Sequence, residues 1–107
     1  MTITLEQVQA EAAKVVETFG PKHKNPDDGD GCSYTNVDGE HCVAGQIAVN
    51  LGAPIPGLMD DSNFSNVYEV EMWRPLFTSD ALTYLYTVQD LADSGYTWER
   101  AVRSVDA

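Results

Sequence analysis

The sequence is poor in basic residues. It has six Lys and Arg against 17 Asp and Glu, which gives a net charge of -11 over 107 residues. Proteins hold phosphates and anionic lipids with Lys and Arg, so this composition argues against direct binding to nucleic acid or to a membrane surface. Between Asn25 and Trp73 there are nine acidic residues and no Lys or Arg. Two interpretations stay open, a solvated and solubilising surface or a face that attracts a basic partner.

Long apolar runs are also missing. No stretch approaches the roughly 18 apolar residues that span a bilayer, and the first residues show no export signal. We therefore expect a soluble, cytoplasmic protein that does not associate with membranes. The chain has only two cysteines, which in that compartment are usually free thiols and not a disulfide. A length of 107 residues with 43% hydrophobic content predicts a single compact domain over residues 1–107.

The common catalytic signatures do not occur. The sequence contains no Walker loop, no GxGxxG, no GxSxG and no HExxH, which removes the usual nucleotide-binding, hydrolase and metalloprotease patterns. We expect a protein that is not an enzyme and that works without a cofactor or a metal. The aromatic residues Trp73, Trp98, Tyr84 and Tyr86 could form a binding platform, although aromatics beside helical stripes usually pack in the core or at its rim.

The segment CSYTNVDGEHCVAGQ, residues 32–46, concentrates the remaining chemistry. With His23 it offers four donors of the kind that zinc prefers (His23, Cys32, His41 and Cys42), but not in the close pairs typical of structural zinc sites. Cys42 is predicted in the first turn of a helix, where the dipole favours a thiolate. A thiol-dependent enzyme built on Cys42 is thus an alternative, although the adjacent His41 is an awkward base. We expect Cys42 to pack in the core.

Helices account for most of the remaining pattern. Thr4 and Gln7 form a capping box for a helix over about residues 5–19, and Gly20-Pro21 ends it. A second helix is expected over about residues 40–51, with Gly45 allowing another element to approach closely. Thr78 caps a third helix that Gly95 ends in a Schellman-type stop, and Thr97 caps a short fourth helix.

The β signal is small. Residues 32–37 favour a short strand followed by a turn at Asp38-Gly39. The stretch VYEVEMW alternates, which predicts a strand over residues 67–73, with a helical turn as the alternative. The overall expectation is a mainly α fold with a minimal β element (small α+β) and about four helices.

Two stretches resemble small proteins of unknown function encoded by actinobacteriophages, especially mycobacteriophages. They are GEHCVAGQIAVNLGAPIP and FTSDALTYLYTVQDLADSGYTWERAV, which carry Gly-x-x-Cys-x-x-Gly and Asp-x-Gly-x-x-Trp-x-x-Ala-Val. The matching residues are Gly39, Cys42, Gly45, Asp93, Gly95, Trp98, Ala101 and Val102. The resemblance implies a phage origin. Many such small phage proteins act on host proteins, and some inhibit host growth.

The function expected from these observations is a phage accessory protein that binds a host macromolecule in the host cytoplasm. Its binding surface would be acidic and partly aromatic. The candidate residues are Asp60, Asp61, Glu69, Glu71 and Trp73. Besides the thiol-dependent enzyme, a third hypothesis is mimicry of nucleic acid by the acidic face.

Overall fold

The computed structural model describes residues 2–25, 34–35, 39–57 and 66–106 of the chain. This part contains four α-helices, which are α1 (Leu5–Phe19), α2 (Val43–Asn50), α3 (Ser79–Asp93) and α4 (Trp98–Asp106). These described residues are mostly helical with almost no strand, as the sequence predicts, and their buried apolar side chains form a single core. Within the described ranges, no helix is both long and apolar enough to cross a membrane.

Helix α1 has the bounds and the cap that the sequence predicts. The Thr4 hydroxyl accepts a hydrogen bond from the Gln7 backbone N–H at 3.4 Å, and the Gln7 side chain accepts from the Thr4 N–H at 2.9 Å. These two bonds satisfy donors that the first helical turn would otherwise leave free. Val8, Ala12 and Val15 recur at three- and four-residue spacing and are buried, so this stripe anchors α1 to the core.

Helix α3 packs against each of the other three helices and also against the 3-10 turn Val67–Glu69. Its C-terminal end has the predicted Schellman geometry. Gly95 has a φ of +102°, the Tyr96 N–H donates to the Leu91 carbonyl at 3.2 Å, and the Gly95 N–H donates to the Ala92 carbonyl at 3.1 Å. A positive φ favours glycine, so Gly95 turns the chain into α4. The Thr97 hydroxyl accepts from the Arg100 N–H at 3.2 Å at the start of that helix.

Helix α2 begins three residues later than predicted. Cys42 has extended backbone angles and is the N-cap residue, not part of the first turn. The close approach predicted at Gly45 is confirmed, because a Cβ atom there would lie 3.0 Å from the Tyr34 carbonyl oxygen and 3.0 Å from Ile55 Cδ1.

The β structure of the described residues is one isolated parallel bridge between Ile3 and Phe77. The Ile3 N–H donates to the Leu76 carbonyl at 2.6 Å, and the Thr78 N–H donates to the Ile3 carbonyl at 3.0 Å. The bridge therefore holds the start of α1 beside the start of α3. Of the strand expected over residues 32–37, only residues 34 and 35 belong to the described part of the chain.

The strand predicted for VYEVEMW is wrong, and the helical alternative is correct. Two 3-10 turns, Val67–Glu69 and Glu71–Trp73, occupy this stretch. Val67, Val70 and Trp73 are buried, which is a three-residue period that matches a 3-10 helix. The alternation around Glu69 and Glu71 hid this period, because all other positions of the segment are apolar, so the residue types fit a period of two or of three.

Candidate functional site

Helix α2 begins in the protein interior without a cap from its own N-cap residue. Cys42 makes no side-chain capping hydrogen bond. Instead, the Val43 N–H donates to Asn25 Oδ1 at 3.0 Å, and the Ala44 N–H donates to Gln89 Oε1 at 3.0 Å. Side chains from two distant segments therefore satisfy backbone donors that a helix start leaves unpaired, so these two amides are not open to a ligand.

Asn25 and Gln89 belong to a larger polar network. Asn25 Oδ1 also accepts from the Trp98 indole Nε1 at 2.7 Å, while Asn25 Nδ2 donates to Asp93 Oδ1 at 2.8 Å. Gln89 Nε2 donates to the same Asp93 oxygen at 3.3 Å. The network joins the segment after α1 to α2, α3 and α4. Its role is structural, because its donors and acceptors bind one another.

Cys42 and His41 are adjacent in the chain but have different surroundings. Cys42 is a free thiol with 1% of its surface exposed, so the prediction that it packs in the core is confirmed. His41 Nδ1 lies 2.8 Å from the Tyr34 carbonyl oxygen. A carbonyl only accepts, so Nδ1 carries a proton and donates it to the backbone. This bond directs the ring towards the chain around Tyr34.

The described ranges contain no cluster of potential metal ligands. No group of three or more His, Cys, Asp or Glu side chains there could hold a metal ion. Cys32, one of the four donors considered from the sequence, lies outside these ranges. His23 packs its ring against Trp98 at a centroid distance of 4.3 Å and against Phe19 at 4.8 Å, so this imidazole contributes to an aromatic cluster.

The predicted binding residues fall into three groups. Glu69 and Glu71 are exposed. Asp60 and Asp61 lie outside the described residues. Trp73 is fully buried, and its Nε1 donates to the Pro54 carbonyl at 2.7 Å.

Trp73 therefore has to be removed from the predicted surface. Its ring contacts Tyr34 and Phe77 edge to face, with centroids 5.0 and 5.9 Å apart. A side chain with 0% exposure cannot reach a partner. The physical reason lies in the 3-10 period, which places Trp73 on the same inner side as Val67 and Val70.

Among the described residues, Tyr68 and Tyr86 form an exposed aromatic pair. Their rings stack with centroids 4.9 Å apart and planes 28° apart. They are 40% and 37% exposed, while Tyr84, two residues before Tyr86, is only 5% exposed. Of the aromatics considered as a platform, Trp73, Trp98 and Tyr84 are core residues and only Tyr86 is exposed. The partnership of Tyr86 with Tyr68 leaves no local signal in the sequence.

The ring pair, together with exposed charged and polar residues that lie near it in the chain or on the same face of α3, makes up what we call the acidic tyrosine surface. It consists of Tyr68, Glu69, Glu71, Arg74, Thr83, Tyr86 and Asp90, all exposed. Thr83, Tyr86 and Asp90 recur at helical spacing on the outer face of α3. Arg74 Nε donates to the Tyr68 carbonyl at 2.9 Å. The surface has three carboxylates and one guanidinium, so its charge is negative.

Comparisons of the chain with protein-family models, with curated proteins and with solved structures find no significant match. The resemblance to small phage proteins therefore stays a prediction from the quoted motifs.

Proposed function

We propose that this chain is a non-enzymatic phage protein that binds a basic protein of its host in the host cytoplasm. The acidic tyrosine surface is the binding surface. The observation that carries the proposal is the exposure of Glu69 and Glu71 at the end of a 47-residue stretch, residues 26–72, that contains no Lys or Arg. A surface with a net negative charge speeds the approach of a basic partner and disfavours acidic ones.

The two alternatives have less support from the described residues. A thiol-dependent enzyme needs a nucleophile that substrate can reach, and Cys42 is 1% exposed. Mimicry of nucleic acid needs a dense run of negative charge, because double-stranded DNA carries one charge per about 1.7 Å of its axis. The acidic tyrosine surface instead interleaves carboxylates with aromatic rings and a guanidinium.

Affinity capture from an actinobacterial host lysate, with mass spectrometry, tests the proposal. The bait is the full chain, and the reversal variant carries Glu69→Lys and Glu71→Lys. The matched control carries Glu6→Lys and Glu17→Lys, which change the charge equally at exposed positions of α1. We expect wild type and control to retain one basic host protein, and the reversal variant to lose it. High salt should weaken the complex, since screening shortens the reach of exposed charges.

The same three proteins, expressed in the host, connect binding to effect. In this proposal wild type and control inhibit growth, and the reversal variant does so less. The proposal fails if the reversal variant captures the same partner as wild type at low salt.

A further inference from the structure

We propose that the stacked rings of Tyr68 and Tyr86 bind an arginine side chain of the basic partner. This inference rests on the proposed function and names the chemistry that its surface recognises. It follows from the geometry of the ring pair, its order before binding, and the charges beside it.

The ring pair is held in place in the free protein. The Tyr68 hydroxyl donates to Thr83 Oγ1 at 3.1 Å, and the Tyr68 carbonyl accepts from Arg74 Nε at 2.9 Å. These bonds fasten Tyr68 to α3 at one end and to the following 3-10 turn at the other. The partner then does not have to order the rings on binding, which removes an entropy cost that flexible side chains would impose.

The exposed part of each ring is a site for a cation. Stacking covers one side of each ring and leaves 40% of Tyr68 and 37% of Tyr86 open. The face of an aromatic ring attracts cations, and a guanidinium lies flat on it while its edge donates to carboxylates. The chain shows the same chemistry elsewhere, because the Arg100 guanidinium carbon lies 4.6 Å from the centroid of the Tyr96 ring.

The neighbouring carboxylates complete the match. Glu69 follows Tyr68 in the chain, and Asp90 lies one helical turn after Tyr86 on the same exposed face of α3, as four-residue spacing requires. An ammonium group is more strongly hydrated than a guanidinium, and it lacks the planar fork that can stack flat on a ring while pairing bidentately with a carboxylate. Arginine is therefore favoured over lysine. Carboxylates at this place repel phosphates, which disfavours nucleic acid as the occupant.

The test is an NMR titration of the full chain with three short peptides of identical length and one oligonucleotide. The peptides are Arg-Gly-Arg-Gly-Arg, Lys-Gly-Lys-Gly-Lys and an uncharged proline-rich peptide, and the oligonucleotide is an oligo-dT. The variants are Tyr86→Leu and Tyr68→Leu, which keep apolar surface and remove the π face. The control is Phe19→Leu, because Phe19 is also an exposed aromatic, at 39%. Phe19 packs instead on His23 and Trp98.

We expect the arginine peptide to bind more tightly than the lysine peptide and to shift the resonances of Tyr68, Tyr86 and Asp90. Each tyrosine variant should weaken its binding about two- to fivefold, and Phe19→Leu should leave it unchanged. Circular dichroism checks that each variant is folded. If one tyrosine variant does not fold, the other tyrosine variant decides the test.

Three results would overturn the inference: equal binding of the arginine and lysine peptides, unchanged affinity in both tyrosine variants, or tighter binding of the proline-rich peptide or the oligo-dT. The inference can fail while the proposed function stands. This is the result if the reversal of Glu69 and Glu71 abolishes host capture while both tyrosine variants keep it, because the acidic surface then binds its partner without an arginine on the rings.

Discussion

The side-chain oxygen of Asn25 lies 2.7 Å from the indole Nε1 of Trp98, a residue 73 positions later in the chain. The same oxygen accepts from the Val43 N–H, and the Asn25 amide donates to Asp93. One side chain thus connects three helices at the point where α2 begins. Because Val43 and Trp98 are buried, the hydrogen bonds that they donate to Asn25 cannot simply be replaced by water.

Replacing Asn25 with Ala should destabilise the fold. Two donors, the Val43 N–H and the Trp98 indole, would lose their acceptor, and the cost of such unpaired groups is about 1–3 kcal/mol each. We expect a loss of about 2–3 kcal/mol in the free energy of unfolding, measured by urea denaturation. Asn50→Ala is the control, because Asn50 is exposed and its amide donates to Glu11 at the surface. Equal effects of the two substitutions would contradict the structural role of Asn25.

Adding a methyl group at Gly45 should also destabilise the protein. Ala has a better helix propensity than Gly by about 1 kcal/mol. However, the new Cβ would meet the Tyr34 carbonyl oxygen and Ile55 Cδ1 at 3.0 Å, and overpacking costs about 1–3 kcal/mol. The Ile55 methyl can move, but the backbone of Tyr34 cannot do so cheaply. We expect Gly45→Ala to lower the midpoint of thermal unfolding.

The control for that experiment is Gly57→Ala. A Cβ at Gly57 would have nothing within 4 Å, so this substitution should be neutral or slightly stabilising through the unfolded state. If Gly45→Ala raises the unfolding midpoint as much as Gly57→Ala does, the close approach at Gly45 is not tight.

Tyr84 should make the protein sensitive to alkaline pH. Burial, and next the carboxylate of Asp106, raise the pKa of the Tyr84 hydroxyl above its ordinary value. The hydroxyl has no hydrogen-bond partner of ordinary geometry among the described residues, although the Asp106 charge acts on it. Above about pH 10, the unfolded state releases this proton while the folded state keeps it. The unfolded state then binds fewer protons, so the free energy of unfolding falls as pH rises.

Tyr84→Phe tests this dependence. The variant lacks the hydroxyl, so its stability should fall less steeply than that of wild type as the pH rises above about 10. At neutral pH it should be as stable as wild type or more stable, because it removes a buried hydroxyl that has no hydrogen-bond partner of ordinary geometry in the described part of the chain. Urea denaturation at several pH values gives both quantities. A parallel decline of the two proteins at alkaline pH would argue against Tyr84 as the source.

The Cys42 thiol should react slowly with a thiol reagent. In a Cys32→Ser background, Cys42 is the remaining cysteine, and its 1% exposure requires local or global opening before reaction. We expect reaction with Ellman's reagent to be slow in the folded protein and to become fast in denaturant. Cys42→Ala should leave host capture unchanged in folded protein. A rapid reaction in native buffer would restore the thiol-dependent alternative.

The local signals in the sequence were sufficient for the ends of α1 and α3 and for the start of α4, but not for the start of α2. Thr4, Thr78, Thr97 and Gly95 act within a few residues of their own positions, so the bounds of α1 and the ends of α3 could be predicted. The prediction for residues 67–73 failed because seven residues are too few to separate a period of two from a period of three. The long-range bridge between Ile3 and Phe77 had no local signal.

What the sequence by itself determined was the helical composition, the caps of α1, α3 and α4, the burial of Cys42 and the sign of the surface charge. Tertiary structure decided which aromatic rings are exposed. Trp73 lies in the core and Tyr68 stacks on Tyr86. The sequence could not predict either outcome, because both depend on how the segment of the 3-10 turns packs in the folded chain. Tertiary structure also assigned Asn25 and Gln89 to the start of α2. A hydrogen bond between residues far apart in the chain exists only once the fold brings its donor and acceptor together, whereas a cap forms within one turn.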